Sequence, residues 1–263
     1  MGMQTKLLVI AAALLVNSLA EAVPIYQHIL IVVEEDKDYA EIVGNTTEAP
    51  YINNTLIAGG ALLTDYNGLA HDSQPNYLAM YGGDTFGATN RPINVPDPSL
   101  YTMLQGIGHT FKAFRDVSGL NLRPGNPWES FPEGTSVEQN FTGTFYQSGF
   151  AKLPSVSFVI PSLDHNMHDG TIGEGDDWLS TNLDAYAKWA KTHGSLLVVV
   201  FDEAESTQNN HTLCILYGDF IVPGQYATTY NHYSLLRTIL NGSGITGALR
   251  NSNTMPVFSG MFE

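Results

Sequence analysis

Residues 29–33, Ile-Leu-Ile-Val-Val, and residues 196–201, Leu-Leu-Val-Val-Val-Phe, are apolar at every position and rich in β-branched side chains. A strand with one face in water alternates apolar and polar side chains, so unbroken runs of this kind belong to strands covered on both faces. A parallel sheet with helices on each side meets that requirement. Weaker strand candidates lie at 61–66, 110–114, 156–160 and 212–217. Between them, Trp178, Leu179, Leu183, Tyr186 and Trp189 recur at helical spacing and predict a helix over 177–191. Shorter helices are predicted over 77–81, 98–105 and 233–240. Alternating strands and helices predict an α/β fold in three layers, a mostly parallel central sheet flanked by helices. A chain of 263 residues is long enough to bury one full core of that type.

The residues that follow the strands point to chemistry. Glu34, Glu35 and Asp36 follow the first run, and His71, Asp72 and Ser73 follow residues 61–66. Asp164, His165, Asn166, Met167, His168 and Asp169 follow 156–160, and Asp202 and Glu203 follow 196–201. Parallel strands end at one edge of their sheet, where open α/β proteins bind ligands. Carboxylates crowded there repel one another unless protons or cations compensate them. Oxygen donors with a few histidines suit divalent zinc, manganese, magnesium or calcium. The single cysteine, Cys214, sits mid-strand and reads as a buried apolar residue rather than a thiolate ligand.

Charge and processing signals narrow the classes further. Lys and Arg number 11 against 26 Asp and Glu, a formal charge of −15, which opposes nucleic acid and anionic membrane partners. One cysteine excludes an internal disulfide. Lys6, the apolar run 7–16 and the Ala20-Glu21-Ala22 site predict a signal peptide over 1–22, cleaved after Ala22. The mature chain, 23–263, is then a single secreted domain with no later run apolar enough to anchor it in a membrane. Sequons at Asn45, Asn53, Asn140, Asn210 and Asn241 predict N-glycans, with Asn210 the least occupied because His211 beside it is expected to face the crevice.

An ordered set of segments carries a resemblance: residues 32–39, 49–53, 71–78 with Gly82-Gly83, 164–170 with Gly175-Asp176, 201–203, 211–213 with Tyr217-Gly218, and 230–238. In this order they resemble the secreted phosphoesterase family of the alkaline-phosphatase superfamily, which includes acid phosphatases and phospholipases C. Residues 88–149 match poorly, although Trp128 sits where that family often has an aromatic near the substrate. The resemblance implies an alkaline-phosphatase-like fold, a divalent metal centre and a small phosphate ester as substrate. It implies Ser73 as the nucleophile and Asn76 as a hydrogen-bond donor to a phosphoryl oxygen. Glu35, Ser73, Asp202 and Glu203 would surround one metal position; Asp164, His168 and His211 would supply a second. Asp36, where the family usually has Asn, together with His71, Asp169 and His232, would lie beside these ligands. Glu34 reads as a solvated neighbour.

The expected activity is hydrolysis of phosphate monoesters by a metal-activated serine through a phosphoserine intermediate, with diesters as the alternative. A glycoside hydrolase would use Glu35 and Glu203 as its carboxylate pair, and an inactive secreted glycoprotein would use none of these groups.

Overall fold

The two unbroken apolar runs lie side by side at the centre of the sheet. In the computed structural model, which describes residues 22–118, 125–141, 149–206 and 209–263, β1 (His28–Glu34) pairs in parallel with β6 (Ser195–Phe201). The register matches Ile29 to Leu196 and Glu34 to Phe201, so the acids after each strand emerge together. The remaining strands are β2 (Ala61–Asn67), β3 (Phe111–Asp116), β4 (Glu138–Phe141), β5 (Val156–Ile160), β7 (His211–Gly218), β8 (Gly224–Tyr226) and β9 (Tyr230–Asn231). Their order is β4-β3-β5-β1-β6-β7-β2-β8, with β9 also paired to β2. Among the described pairings only β7 is antiparallel to its neighbours, β6 and β2. Its first residue, His211, therefore lies at the edge where the other strands end. Of the predicted signal segment, residues 1–22, all but Ala22 fall outside the described residues.

The strand pleat divides the core in two. Ile29, Ile31 and Val33 pack on one face of the sheet, with α2 (Ser73–Gly82), α3 (Leu100–Gln105) and α5 (His232–Gly242). Leu30 and Val32 pack on the other, with α1 (Tyr39–Ile42), the π-helix Ile52–Ile57 and α4 (Ile172–Ala190). The fold is thus α/β in three layers, as the unbroken runs require.

Local caps and prolines set the helix starts: α2 and α4 begin earlier than their apolar periodicity suggests, and α3 begins later. α4 begins at Ile172, where Thr171 and Glu174 form a capping box. α3 begins after Ser99, whose hydroxyl accepts from Thr102 N–H. α2 extends back to Ser73, since Pro75 in its first turn needs no N–H. It ends at Gly83 (φ 78°), where a Cβ would sit 2.3 Å from the Leu249 carbonyl oxygen. Strands β4, β8 and β9 were not predicted, being too short and polar to show a period. Trp128 is not near a substrate position: it is buried among Tyr81, Phe111 and Phe158, and its indole N–H donates to Glu138.

Candidate active site

Adjacent acids at the end of β1 have opposite surroundings because strand residues alternate faces. Glu35 continues the Ile31–Val33 face and accepts a hydrogen bond from the Tyr77 hydroxyl of α2 at 2.8 Å. Glu34 continues the Leu30–Val32 face and is wholly buried, with neither carboxylate oxygen hydrogen-bonded among the described residues. It is an interior group and not the solvated neighbour expected from sequence. Asp36 then turns the chain at φ 52°, a left-handed conformation that Asp tolerates.

The end of β6 meets this turn. Asp202 Oδ1 accepts from the backbone N–H of Asp36 at 3.3 Å and of Glu203 at 2.7 Å. Its other oxygen, Oδ2, is buried with no hydrogen-bond partner among the described residues. The loop after β2 delivers Ser73 at the first position of α2, and its hydroxyl donates to Glu203 Oε1 at 3.1 Å. His71 Nδ1 lies 3.1 Å from the Ala204 carbonyl oxygen and 3.7 Å from Glu203 Oε2. From the loop after β5, His168 places Nε2 3.2 Å from Asp36 and donates from Nδ1 to Asp169 at 2.6 Å. A carboxylate behind an imidazole in this way orients it towards a ligand.

Two groups of donor atoms result, each within 4.8 Å: Glu35, Asp36 and His168, and Asp36, Asp202 and Glu203. Asp36 belongs to both. The donors are hard oxygens with one imidazole, and among the described residues Asp202 Oδ2 is buried with no hydrogen-bond partner. A divalent cation fits that chemistry.

Other residues named from sequence lie elsewhere. Both amide hydrogens of Asn76 are used within the Ser73 loop, on the carbonyls of Ala70 and Asp72, and its oxygen accepts from Leu69 and Ala70 N–H. The carboxamide braces the loop and keeps no donor for a phosphoryl oxygen. His211 stacks on Tyr39, and its Nε2 lies 3.0 Å from the Thr64 carbonyl oxygen. Asp164 is half-buried, and neither it nor His211 belongs to either donor group. His232 is buried between the Asp202 carbonyl and Tyr66. A carbonyl can only accept, so Nε2 carries the proton and Nδ1 accepts from the Tyr66 hydroxyl. The pair holds the backbone of Asp202 from beneath.

The cluster's electrostatics predict its behaviour without a cation. Burial, then repulsion from Asp36, raises Glu203 to about 8 from an ordinary 4.5. Burial followed by acidic neighbours raises Asp202 and Glu34 well above the carboxylate range. A carboxyl that binds its proton more tightly when folded stabilises the fold at low pH, and that contribution is lost as pH rises through the folded value. His232 acts in the opposite sense, because burial lowers it from 6.5 to about 4, but only below pH 6.5. Between pH 6.5 and 8 the acids therefore dominate this balance. Over that interval, Tm of chelator-treated protein is expected to fall by on the order of 5 °C. Adding a divalent cation should restore it. A calorimetric Tm that stays flat across the interval would contradict this protonation pattern.

Comparison with known proteins agrees with the geometry. A family model described as the Phosphoesterase family matches residues 48–245. The chain is 38% identical over 252 residues to phosphatidylinositol-3-phosphatase of Mycobacterium tuberculosis, covering 90% of this chain and 84% of that protein. It is 30% identical over 222 residues to the phosphate-repressible acid phosphatase of Penicillium chrysogenum, covering 72% of this chain and 53% of the fungal protein. The chain thus spans about half the length of that fungal relative. A solved protein of the alkaline phosphatase superfamily from Vibrio parahaemolyticus superposes with a TM-score of 0.65 at 14% identity, over 91% of this chain and 72% of that one. At that identity the likeness is one of fold.

Proposed function

The chain belongs to the Phosphoesterase family, and on that premise we propose that it hydrolyses phosphate monoesters with Ser73 as nucleophile. The observation that carries this reading is the Ser73 hydroxyl, presented at the start of α2 and hydrogen-bonded to Glu203 at 3.1 Å beside two groups of metal-type donors. The relatives are named as phosphatases, a phosphatidylinositol-3-phosphatase in one case and an acid phosphatase in the other. Those names favour monoesters over diesters. Family membership also replaces the glycosidase reading, since Ser73 and His168 have no task in it.

Asp36, Asp202 and Glu203, with Glu35 and His168, would hold the cation. When bound, a divalent cation would stabilise the ionised serine hydroxyl and offset phosphoryl charge. Ser73 Oγ attacks phosphorus in line, and Glu203, which already accepts its hydrogen bond, is placed to take the hydroxyl proton. The bond from phosphorus to the leaving alcohol breaks with its electron pair on the alcohol oxygen, which takes a proton from solvent. Water then attacks the phosphoserine, the bond to Ser73 Oγ breaks, and the serine regains its proton. Tyr77 holds Glu35, Asp169 holds His168, and His232 holds the Asp202 backbone, so the donors keep their places without substrate.

Hydrolysis of p-nitrophenyl phosphate should exceed that of the bis ester and should cease on exhaustive chelation. Preference for the diester would move the activity to the phospholipase C class. Full activity after chelation would remove the metal, and no activity on either ester would favour an inactive glycoprotein.

Secretion with removal of residues 1–22 is part of the same proposal. Among the described residues no helix is long and apolar enough to cross a membrane. Asn140 is exposed and open to a glycan, whereas Asn45 is half-buried and its amide donates to the Glu41 carbonyl and to Glu48. Asn53 donates to the Ile42 and Ala49 carbonyls, and Asn210 is buried and donates to Ala70. Asn210 is therefore occluded by its own hydrogen bonds, not by His211. Intact Met1 in secreted material, or a glycan mapped to Asn210, would contradict this processing.

A further inference from the structure

Ser73 and Glu203 come from loops on different strands, so their 3.1 Å approach needs something to set one loop against the other. Asn210, in the residues leading into β7, touches both. Its side-chain amide donates to the Ala70 carbonyl at 2.7 Å, in the loop that ends at Ser73. Its Oδ1 accepts from Ala204 N–H at 2.7 Å, directly after Glu203. Its own carbonyl accepts from Gly68 N–H at 2.8 Å. The residue is 6% exposed. Gly68 packs so closely that a Cβ there would lie 2.7 Å from the Asn210 carboxamide. The backbone at Asn210 has φ 54°, a conformation open to Asn and Gly but strained for most side chains.

We propose that Asn210 is a positioning residue for phosphoryl transfer, a carboxamide clamp that sets the Ser73 loop against the Glu203 loop. The proposal rests on Ser73 being the nucleophile. Asn76 fixes the shape of the Ser73 loop from within, at Leu69, Ala70 and Asp72. Among the described residues none of these bonds reaches the Glu203 loop, whereas Asn210 supplies one hydrogen bond to each loop, beside the contact of His71 Nδ1 with the Ala204 carbonyl. The chemistry of the bridge needs both ends of an amide: a donor for a carbonyl and an acceptor for an N–H. Aspartate keeps the acceptor but sets an oxygen against the Ala70 carbonyl. Glycine keeps the backbone conformation and removes the clamp altogether.

Asn210→Gly and Asn210→Asp should each lower kcat on p-nitrophenyl phosphate by about tenfold to a hundredfold with KM unchanged, because a small misplacement of a nucleophile is costly in rate. Hydrogen exchange should accelerate in residues 68–73 and 203–206 of the same proteins, while β6 and the rest of α2 exchange as in the wild type. A role in stability alone predicts the opposite split: exchange faster throughout, and kcat per folded molecule equal to wild type. That result would overturn the proposal. Inactive Ser73→Ala beside fully active Asn210→Gly would remove the clamp while leaving the nucleophile. Substantial activity in Ser73→Ala would remove the nucleophile and the proposal with it.

Discussion

Ser73→Ala is expected to lower turnover of phosphate monoesters by about three orders of magnitude or more while leaving the protein folded and able to bind a cation. The physical basis is local. Ala at the first position of α2 is a good helix former, and the side-chain hydrogen bond lost is the one to Glu203. A net hydrogen bond of that kind is worth about 1 kcal/mol or less in stability, so Tm should move little. Asp36, Asp202 and Glu203 keep their places, because Asp202 is held by backbone N–H groups and His232, neither of which involves Ser73. Chemistry is a different matter, since without the Ser73 hydroxyl the phosphoserine cannot form. Wild-type enzyme quenched in acid during turnover should carry phosphate on the peptide containing Ser73, and the variant should carry none. If the variant keeps substantial activity and the wild type yields no phosphoserine, attack on phosphorus belongs to water, and Ser73 is a bystander.

The second large effect is expected at Asp202, and its sign separates a ligand from a structural group. Asp202→Asn preserves shape and the Oδ1 acceptor for Asp36 and Glu203 N–H. It replaces the buried, unpartnered Oδ2 by an amide and deletes one negative charge from a cluster whose members repel one another. Activity and cation affinity should both fall by about a hundredfold or more, since a charged ligand is lost outright and even groups behind the ligands count for tenfold to a hundredfold. The cation-free variant, however, should melt at or above the cation-free wild type, because burying a neutral amide costs less than burying a carboxylate amid like charges. Titration calorimetry with zinc, manganese, magnesium and calcium in turn, beside a thermal scan without cation, measures both. A cation-free variant that melts well below wild type, with cation affinity intact, would make Asp202 a structural residue.

Much of this site could be read before the fold was known, for a specific reason. Strands end where their apolar runs end, so the residues immediately after 29–33 and 196–201 had to emerge at one edge once the strands were parallel neighbours. Glu35, Asp36, Asp202 and Glu203 follow from that alone, and the cap residue before α2 brings Ser73 to the same edge. His168 with Asp169 was legible because both lie in the polar segment 164–169 that follows β5 (Val156–Ile160). The short loop-borne strands β4, β8 and β9 were not, since two to four residues carry no usable period. Trp128 failed as a substrate neighbour because burial depends on what packs over a residue, and Tyr81, Phe111 and Phe158 come from three distant segments.

The sequence by itself determined the layer order, the burial of its central strands and the acidic character of their common edge, because these depend on runs of neighbouring residues. Tertiary structure decided what each polar group is for, because hydrogen-bond partners come from far along the chain. Glu34 and Glu35 are indistinguishable as letters, yet the pleat sends one into a sealed interior and the other to the Tyr77 hydroxyl. Asn76, the donor expected for substrate, is spent on its own loop, and His211 is turned to the Thr64 carbonyl. Asn210, which the sequence marked only as a sequon, joins the two loops that carry the reaction. A carboxamide has few hydrogen bonds to give, and only the folded neighbourhood settles where they go.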